Sequence, residues 1–186
     1  MFKKAFTLFL SIFLLSSCFG WDNTTTTTSG LVKTETENIS IEIPENWEII
    51  ENKEWILPKA KDWEIELAVT STTILNGFAN NLLILSDDLN SFTTSKDFSM
   101  LNNIWAQTDY LDYTALESKQ FTFNDEEETV LYIFEAKYNL DTPKLKFLQT
   151  AHICDQTKAY FITIAIPTTV TDTSKYEELL RTFECK

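Results

Sequence analysis

From Asn38 the chain is written in two periods. Ile39, Ile41 and Ile43 alternate with Ser40 and Glu42, the two-residue period of a half-buried strand, and Pro44 ends it. Trp47 to Ile50 makes a short second strand. Trp63, Ile65, Leu67 and Val69 alternate with Glu64, Glu66 and Thr70 in a third. Asn76-Gly77 marks a turn, and Leu82 to Leu85, apolar throughout, reads as a central strand. The period then lengthens. Thr94 and Asp97 have the spacing of a capping box, and Phe98, Leu101 and Trp105, with Ile104 beside them, predict a helix burying that stripe. Four strand-like runs follow at Thr114–Phe123, Thr129–Tyr138, Leu145–Cys154 and Ala159–Ile166, joined by short polar turns that favour an antiparallel meander. A last helix opens at Ser174 with Glu177 as its capping partner and carries Tyr176, Leu179, Leu180 and Phe183 as one stripe. Strand runs outnumber helices and never alternate with them. The expectation is one α+β domain over 38–186: an antiparallel sheet of six to seven strands with helices packed on it.

The first 37 residues follow another pattern. Lys3 and Lys4 precede the apolar run Ala5 to Leu15, which is too short to span a bilayer and has the layout of a secretory signal peptide. Leu15-Ser16-Ser17-Cys18 resembles the lipobox of bacterial lipoproteins. That resemblance implies cleavage after residue 17 and attachment of diacylglycerol, with further acyl chains such as palmitate, at Cys18. Two or three chains make such an anchor lasting, whereas one holds only marginally. Residues 18–37, with five threonines at Thr24 to Thr28 and then Ser29-Gly30, read as a tether spanning about 25 Å.

The opening Ile41-Glu42-Ile43-Pro44-Glu45-Asn46-Trp47, the mid-chain helix, the meander and the closing Tyr176 to Phe183 helix together resemble the PsbP-like family. The family contains the photosystem PsbP proteins and many bacterial envelope lipoproteins of unassigned function. The resemblance implies a fold and an extracytoplasmic module, and it carries no catalytic residue across.

Composition narrows the chemistry. The chain of 186 residues holds 28 acidic and 15 basic side chains, and removing residues 1–17 with Lys3 and Lys4 leaves a net charge of −15. Nucleic acid is excluded as a partner, since phosphate binding needs a basic surface. The 3 glycines, Gly20, Gly30 and Gly77, form no phosphate-binding loop. His152 is the only imidazole, and no Gly-x-Ser-x-Gly elbow accompanies it, so it reads as a packed strand residue rather than a catalytic base. The acidic run Asp125 to Glu128 and the pair Asp87-Asp88 read as solvated turns without metal-ligand spacing. No metal or other cofactor is expected. Trp47, Trp55 and Trp63 recur every eight residues; they either bury one aromatic per strand or line a sugar- or peptide-binding face. Once lipid consumes Cys18, Cys154 and Cys185 remain, and in a disulfide-permissive compartment two cysteines pair in one way. The alternative is two buried free thiols.

The expected function is that of a non-enzymatic, lipid-anchored module of the bacterial cell envelope, held to the membrane through Cys18 and binding an envelope protein or glycan. Carbohydrate or small-ligand binding through Trp47, Trp55 and Trp63 is the alternative, and a hydrolase built on His152 is a third reading. The anchor is directly testable. Mass spectrometry of the chain expressed in a bacterial host is expected to find residues 1–17 absent and Cys18 acylated, and Cys18→Ala is expected to abolish membrane attachment. An intact Met1 terminus rejects the lipobox.

Overall fold

The computed structural model describes residues 30–51 and 63–186. Ten strands and two helices run in the order β1 (Leu31–Glu35), β2 (Ile39–Pro44), β3 (Trp47–Ile49), β4 (Glu64–Leu75), β5 (Phe78–Asp88), α1 (Ser95–Asp109), β6 (Leu111–Thr122), β7 (Glu128–Lys137), β8 (Leu145–Cys154), β9 (Lys158–Pro167), α2 (Ser174–Arg181) and β10 (Glu184–Cys185). Among the described residues there is no helix long and apolar enough to cross a membrane.

Seven strands form one sheet in the order β3-β4-β5-β9-β8-β7-β6, antiparallel throughout. The expected meander is β6 to β9. The β4–β5 hairpin closes at Asn76 (φ 53°) and Gly77 (φ 80°), and two consecutive positive φ angles are what an Asn-Gly turn supplies. The sheet's central strands β8 and β9 are buried on both faces. Alternate residues of β9, namely Tyr160, Ile162, Ile164 and Ile166, join one core with Leu148, Ile41 and Phe183. The intervening Ala159, Phe161 and Ala165 join apolar clusters on the other face, under α1. The result is three layers: α1, the seven-stranded sheet, and a layer made of α2 with a second sheet.

That second sheet, β1-β2-β10, departs from the sequence expectation. The tether was expected to run to Glu37 and the domain to start at Asn38, yet Leu31–Glu35 is strand β1, paired antiparallel with β2 from Leu31↔Pro44 to Glu35↔Ser40. β1 has no fully buried residue, so it lacks an apolar period, and its conformation comes from the hydrogen-bonding edge that β2 offers it. Cys185↔Ile39 adds β10 to the other side of β2. Residues 1–29, which hold the signal peptide, Cys18 and most of the expected tether, lie outside the described residues.

Helix α1 begins where its capping pattern placed it. The Thr94 hydroxyl oxygen accepts a hydrogen bond from the Asp97 amide at 3.0 Å. Its orientation is the reverse of the expected one. Of the predicted stripe only Phe98 is buried. Leu101, Ile104 and Trp105, with Met100, stand between 42% and 57% exposed, while Ser95, Ser99, Asn102, Asn103 and Ala106 face the sheet. Hydrogen bonding and size explain the inversion. Ser99 Oγ donates to the Val130 carbonyl at 2.8 Å, Ser95 Oγ accepts from the Ile153 amide at 2.9 Å, and Asn103 Nδ2 donates to the Tyr113 hydroxyl at 3.0 Å. Thr129 Oγ1 also donates to the Ser95 carbonyl at 3.2 Å, and the apolar part of the contact is made by Phe98 against Ala151 and by the small Ala106 against Phe134 and Ala136.

Helix α2 buries Tyr176, Leu179 and Leu180, with Phe183 just beyond it, as its stripe predicts. Its N-cap is Thr173 rather than Ser174, and the Thr173 hydroxyl donates to the Glu177 carboxylate at 2.9 Å instead of capping the backbone. The helix end is tied to the β6–β7 turn: the Asn124 amide donates to the Arg181 carbonyl at 2.9 Å, and the Arg181 guanidinium lies 4.5 Å above the Phe121 ring and donates to the Thr122 carbonyl.

Two outcomes follow for stability. Ser99→Leu, which forces a branched side chain under α1, is expected to cost about 1–3 kcal/mol by overpacking and a lost hydrogen bond. Leu101→Ser on the outer face is expected to stay within about 0.5 kcal/mol of the native chain. Urea unfolding of the two variants decides the orientation of the helix, and the opposite ranking rejects it. Cys154 and Cys185 are joined in a disulfide with a Cα separation of 5.8 Å. It closes a loop across 31 positions. Replacing both cysteines by Ser is expected to lower stability by roughly 3–4 kcal/mol, with α2 and β10 the first segments to lose amide-exchange protection. An unchanged unfolding midpoint would exclude the bridge from the energetics of the fold.

Candidate functional site

Three segments converge at one end of the inner core: the end of β8, strand β10 and the β6–β7 turn. On β8 the side chains of His152 and Cys154 share a face, two residues apart, and β10 brings Cys185 against them. His152 is only 3% exposed. Its ring is walled by Phe123, with centroids 4.7 Å apart, and by Phe183 at 5.1 Å.

Both ring nitrogens of His152 have neighbours. Nε2 lies 2.8 Å from Asp125 Oδ2 across the β6–β7 turn. The other oxygen of that carboxylate accepts from the Glu127 amide at 3.1 Å, which fixes its direction. A carboxylate accepts and does not donate, so in the neutral form of the ring the proton lies on Nε2 and Nδ1 presents a lone pair. Nδ1 lies 3.5 Å from Cys185 Sγ and 3.9 Å from Cys154 Sγ. A disulfide has no proton to give, so this lone pair faces sulfur atoms that can only accept.

Across the sheet from His152 stands Tyr160. Burial, with added repulsion from the carboxylates of Glu66, Asp88 and Asp155, pushes its phenol up to about 12, so it stays protonated near neutrality. It supplies no base to the site.

The other residues singled out from the sequence fall apart in space. Trp47 is 7% exposed and belongs to the inner core beside α2. Trp63 packs on the opposite face of the sheet, 5.8 Å from both Phe98 and Phe161. These two indoles cannot form one binding face, and Trp55 lies outside the described residues. A wide groove is lined by Val32, Ile43, Trp47, Ile49 and Glu51. The acidic run scatters as expected of a turn: Asp125 meets His152, Glu127 accepts from Ser95 Oγ, and Glu128 accepts from Gln120 Nε2 at 3.2 Å. Asp88 pairs with Lys158 at 3.1 Å.

The sequence reading paired Cys154 with Cys185, as the structure does, but named His152 and Asp125 apart from them and missed that all four meet. One signal was present: His152 and Cys154 alternate on one strand face. Asp125 and Cys185 arrive through the turn and the closing strand, which no local pattern announces.

No protein-family model matches this chain, and no curated protein matches it. Similarity appears at the level of structure. The solution structure of the cyanobacterial PsbP protein (CyanoP) from Synechocystis sp. PCC 6803 superposes with a TM-score of 0.59 at 13% identity, over 92% of this chain and 99% of that one. PA94 from Pseudomonas aeruginosa, a protein of unknown function, superposes with a TM-score of 0.51 at 10% identity, over 82% of this chain and 94% of that one. Identities this low speak to fold alone, and the fold they support is the PsbP-like α+β fold.

Proposed function

We propose that this chain is a non-enzymatic, lipid-anchored module of the bacterial envelope that docks a protein partner on the outer face of α1. The observation that carries the reading is the inverted helix. Met100, Leu101, Ile104 and Trp105 lie on one side of α1 and are all exposed. Clustered exposed apolar side chains mark interaction surfaces, and Trp and Met are favoured at their centres. The occupant is a protein rather than an anionic bilayer, because the mature chain at −15 is repelled by anionic lipid. Topology agrees: the chain enters the fold at β1, in the layer across the seven-stranded sheet from α1. An anchor on that side leaves α1 turned away from the membrane.

The non-enzymatic part of the reading rests on the His152 site. A carboxylate, an imidazole and a sulfur in line have the order of a nucleophilic triad, yet here the sulfurs are bonded to each other and the ring is buried between two phenylalanines. The glycan alternative has no support from Trp47 and Trp63, which are used inside the fold.

A photo-crosslinking residue at position 104, in intact envelopes of the source bacterium, is expected to join a second protein, while the same residue at Lys33, across the molecule, is not. The purified partner is expected to bind the triple variant M100S/I104S/W105S at least tenfold more weakly than the native chain, with the circular dichroism spectrum unchanged. Adducts only with itself, adducts only with lipid, or equal binding by the triple variant overturns the docking surface.

A further inference from the structure

We propose that Cys154, Cys185 and His152 form a zinc site when the disulfide is reduced, with Asp125 as the carboxylate that orients the imidazole. The three residues are the only group of His, Cys and carboxylate side chains among the described residues whose ligand atoms converge as a metal would require, all within 4.8 Å of one another.

Distances support the assignment. Zinc is bound tetrahedrally with Zn–S near 2.3 Å and Zn–N near 2.0–2.1 Å, so an N···S edge of the tetrahedron is about 3.5–3.6 Å and an S···S edge about 3.8 Å. Nδ1 of His152 already stands 3.5 Å from one sulfur and 3.9 Å from the other. Only the two bonded sulfurs have to part. Cys185 can make that movement: it sits in a two-residue strand paired on one side alone, and it is half-buried, which gives an ion access.

The imidazole supplies the second, independent observation. Asp125 holds the Nε2 proton at 2.8 Å and turns the Nδ1 lone pair to the sulfurs, which is how ligating histidines are oriented in zinc proteins. In the disulfide that lone pair meets no donor. A metal ion between the sulfurs gives it an acceptor for its electrons. Three protein ligands leave the fourth position to water or an exogenous ligand, as at open zinc sites.

The chemistry balances with a dithiol reductant. The reductant's two thiols pass two electrons and two protons to Cys154–Cys185 and become a disulfide themselves. Zn²⁺ then displaces the two cysteine protons to solvent and binds both thiolates and Nδ1. A disulfide oxidant reverses this: it takes the two electrons of the thiolates and two protons from solvent to become a dithiol, the Cys154–Cys185 bond re-forms, and the ion is released. The site is therefore exclusive: a covalent bridge under oxidising conditions, a metal ligand set under reducing ones.

The test uses the mature chain, reduced with a dithiol and freed of it anaerobically, and titrated with Co²⁺. One equivalent is expected to produce thiolate-to-cobalt charge transfer together with the intense visible bands of a tetrahedral ion, and Zn²⁺ is expected to bleach both. The unreduced protein is expected to show neither. Asp125→Asn keeps all three ligands and is expected to weaken binding by about 10- to 100-fold. His152→Ala is expected to remove the tetrahedral bands; His152→Gln serves as a second variant should the alanine chain fail to fold. Absence of the bands in the reduced native chain, or bands unchanged in the His152 variants, overturns the site.

Discussion

The fold depends on a sheet that must be covered twice. Strands β8 and β9 are buried at nearly every position, so water is excluded from both of their faces. A seven-stranded antiparallel sheet with one solvated face would need polar residues at every second position, and β9 instead sets Tyr160, Ile162, Ile164 and Ile166 on one face and Ala159, Phe161 and Ala165 on the other. Two covers are therefore required. α1 supplies one, and α2 with the three-stranded sheet supplies the other. Each cover is short, and each is tied to the sheet by a few specific contacts rather than by area alone.

The two covers are fastened by different physics. Beneath α1 the contact is close and hydrogen-bonded: Ser95, Ser99 and Asn103 spend their polar atoms on the sheet and on Tyr113. Beneath α2 the contact is apolar, with Tyr176, Leu179, Leu180 and Phe183 entering one continuous core. The apolar cover ends in the disulfide, which joins the closing strand to the last residue of β8. The hydrogen-bonded cover leaves its large side chains on the outside. Under the proposed docking role, function and packing are coupled in α1, because a helix seated largely by small polar residues leaves its apolar residues on the outside.

His152 is placed where these arrangements meet. Its wall is made of Phe123 from the end of the meander hairpin and Phe183 from the end of α2, and its nitrogens reach the turn carboxylate on one side and the disulfide on the other. A buried imidazole with a fixed tautomer and a lone pair directed at two sulfurs is a large commitment for purely structural packing, since a Phe or Leu at this position would fill the volume without a polar atom to satisfy.

Sequence alone determined the class of the fold. The strict alternation of Ile39, Ile41 and Ile43, the four runs of the meander and the Asn76-Gly77 turn depend on local periods, and local periods survive in the folded chain because each strand needs only its own face assigned. The cysteine pairing was also within reach, because once Cys18 is read as the lipidation site only Cys154 and Cys185 remain to pair. What only the tertiary structure decided is where competing faces point and which distant residues meet. β1 is a strand because β2 has an open edge, not because Leu31–Glu35 has a period. The α1 stripe reads as core by hydrophobicity, but the other side of the helix carries the hydroxyls and the amide that bond to the sheet and to Tyr113, so apart from Phe98 hydrogen bonding overrode the pattern. Trp47 and Trp63 repeat in sequence and separate onto opposite faces of the sheet. Asp125, His152, Cys154 and Cys185 come together through a turn, a strand register and a closing strand, and no one-dimensional spacing encodes such a meeting, because each pairwise distance is set by the packing of all three layers.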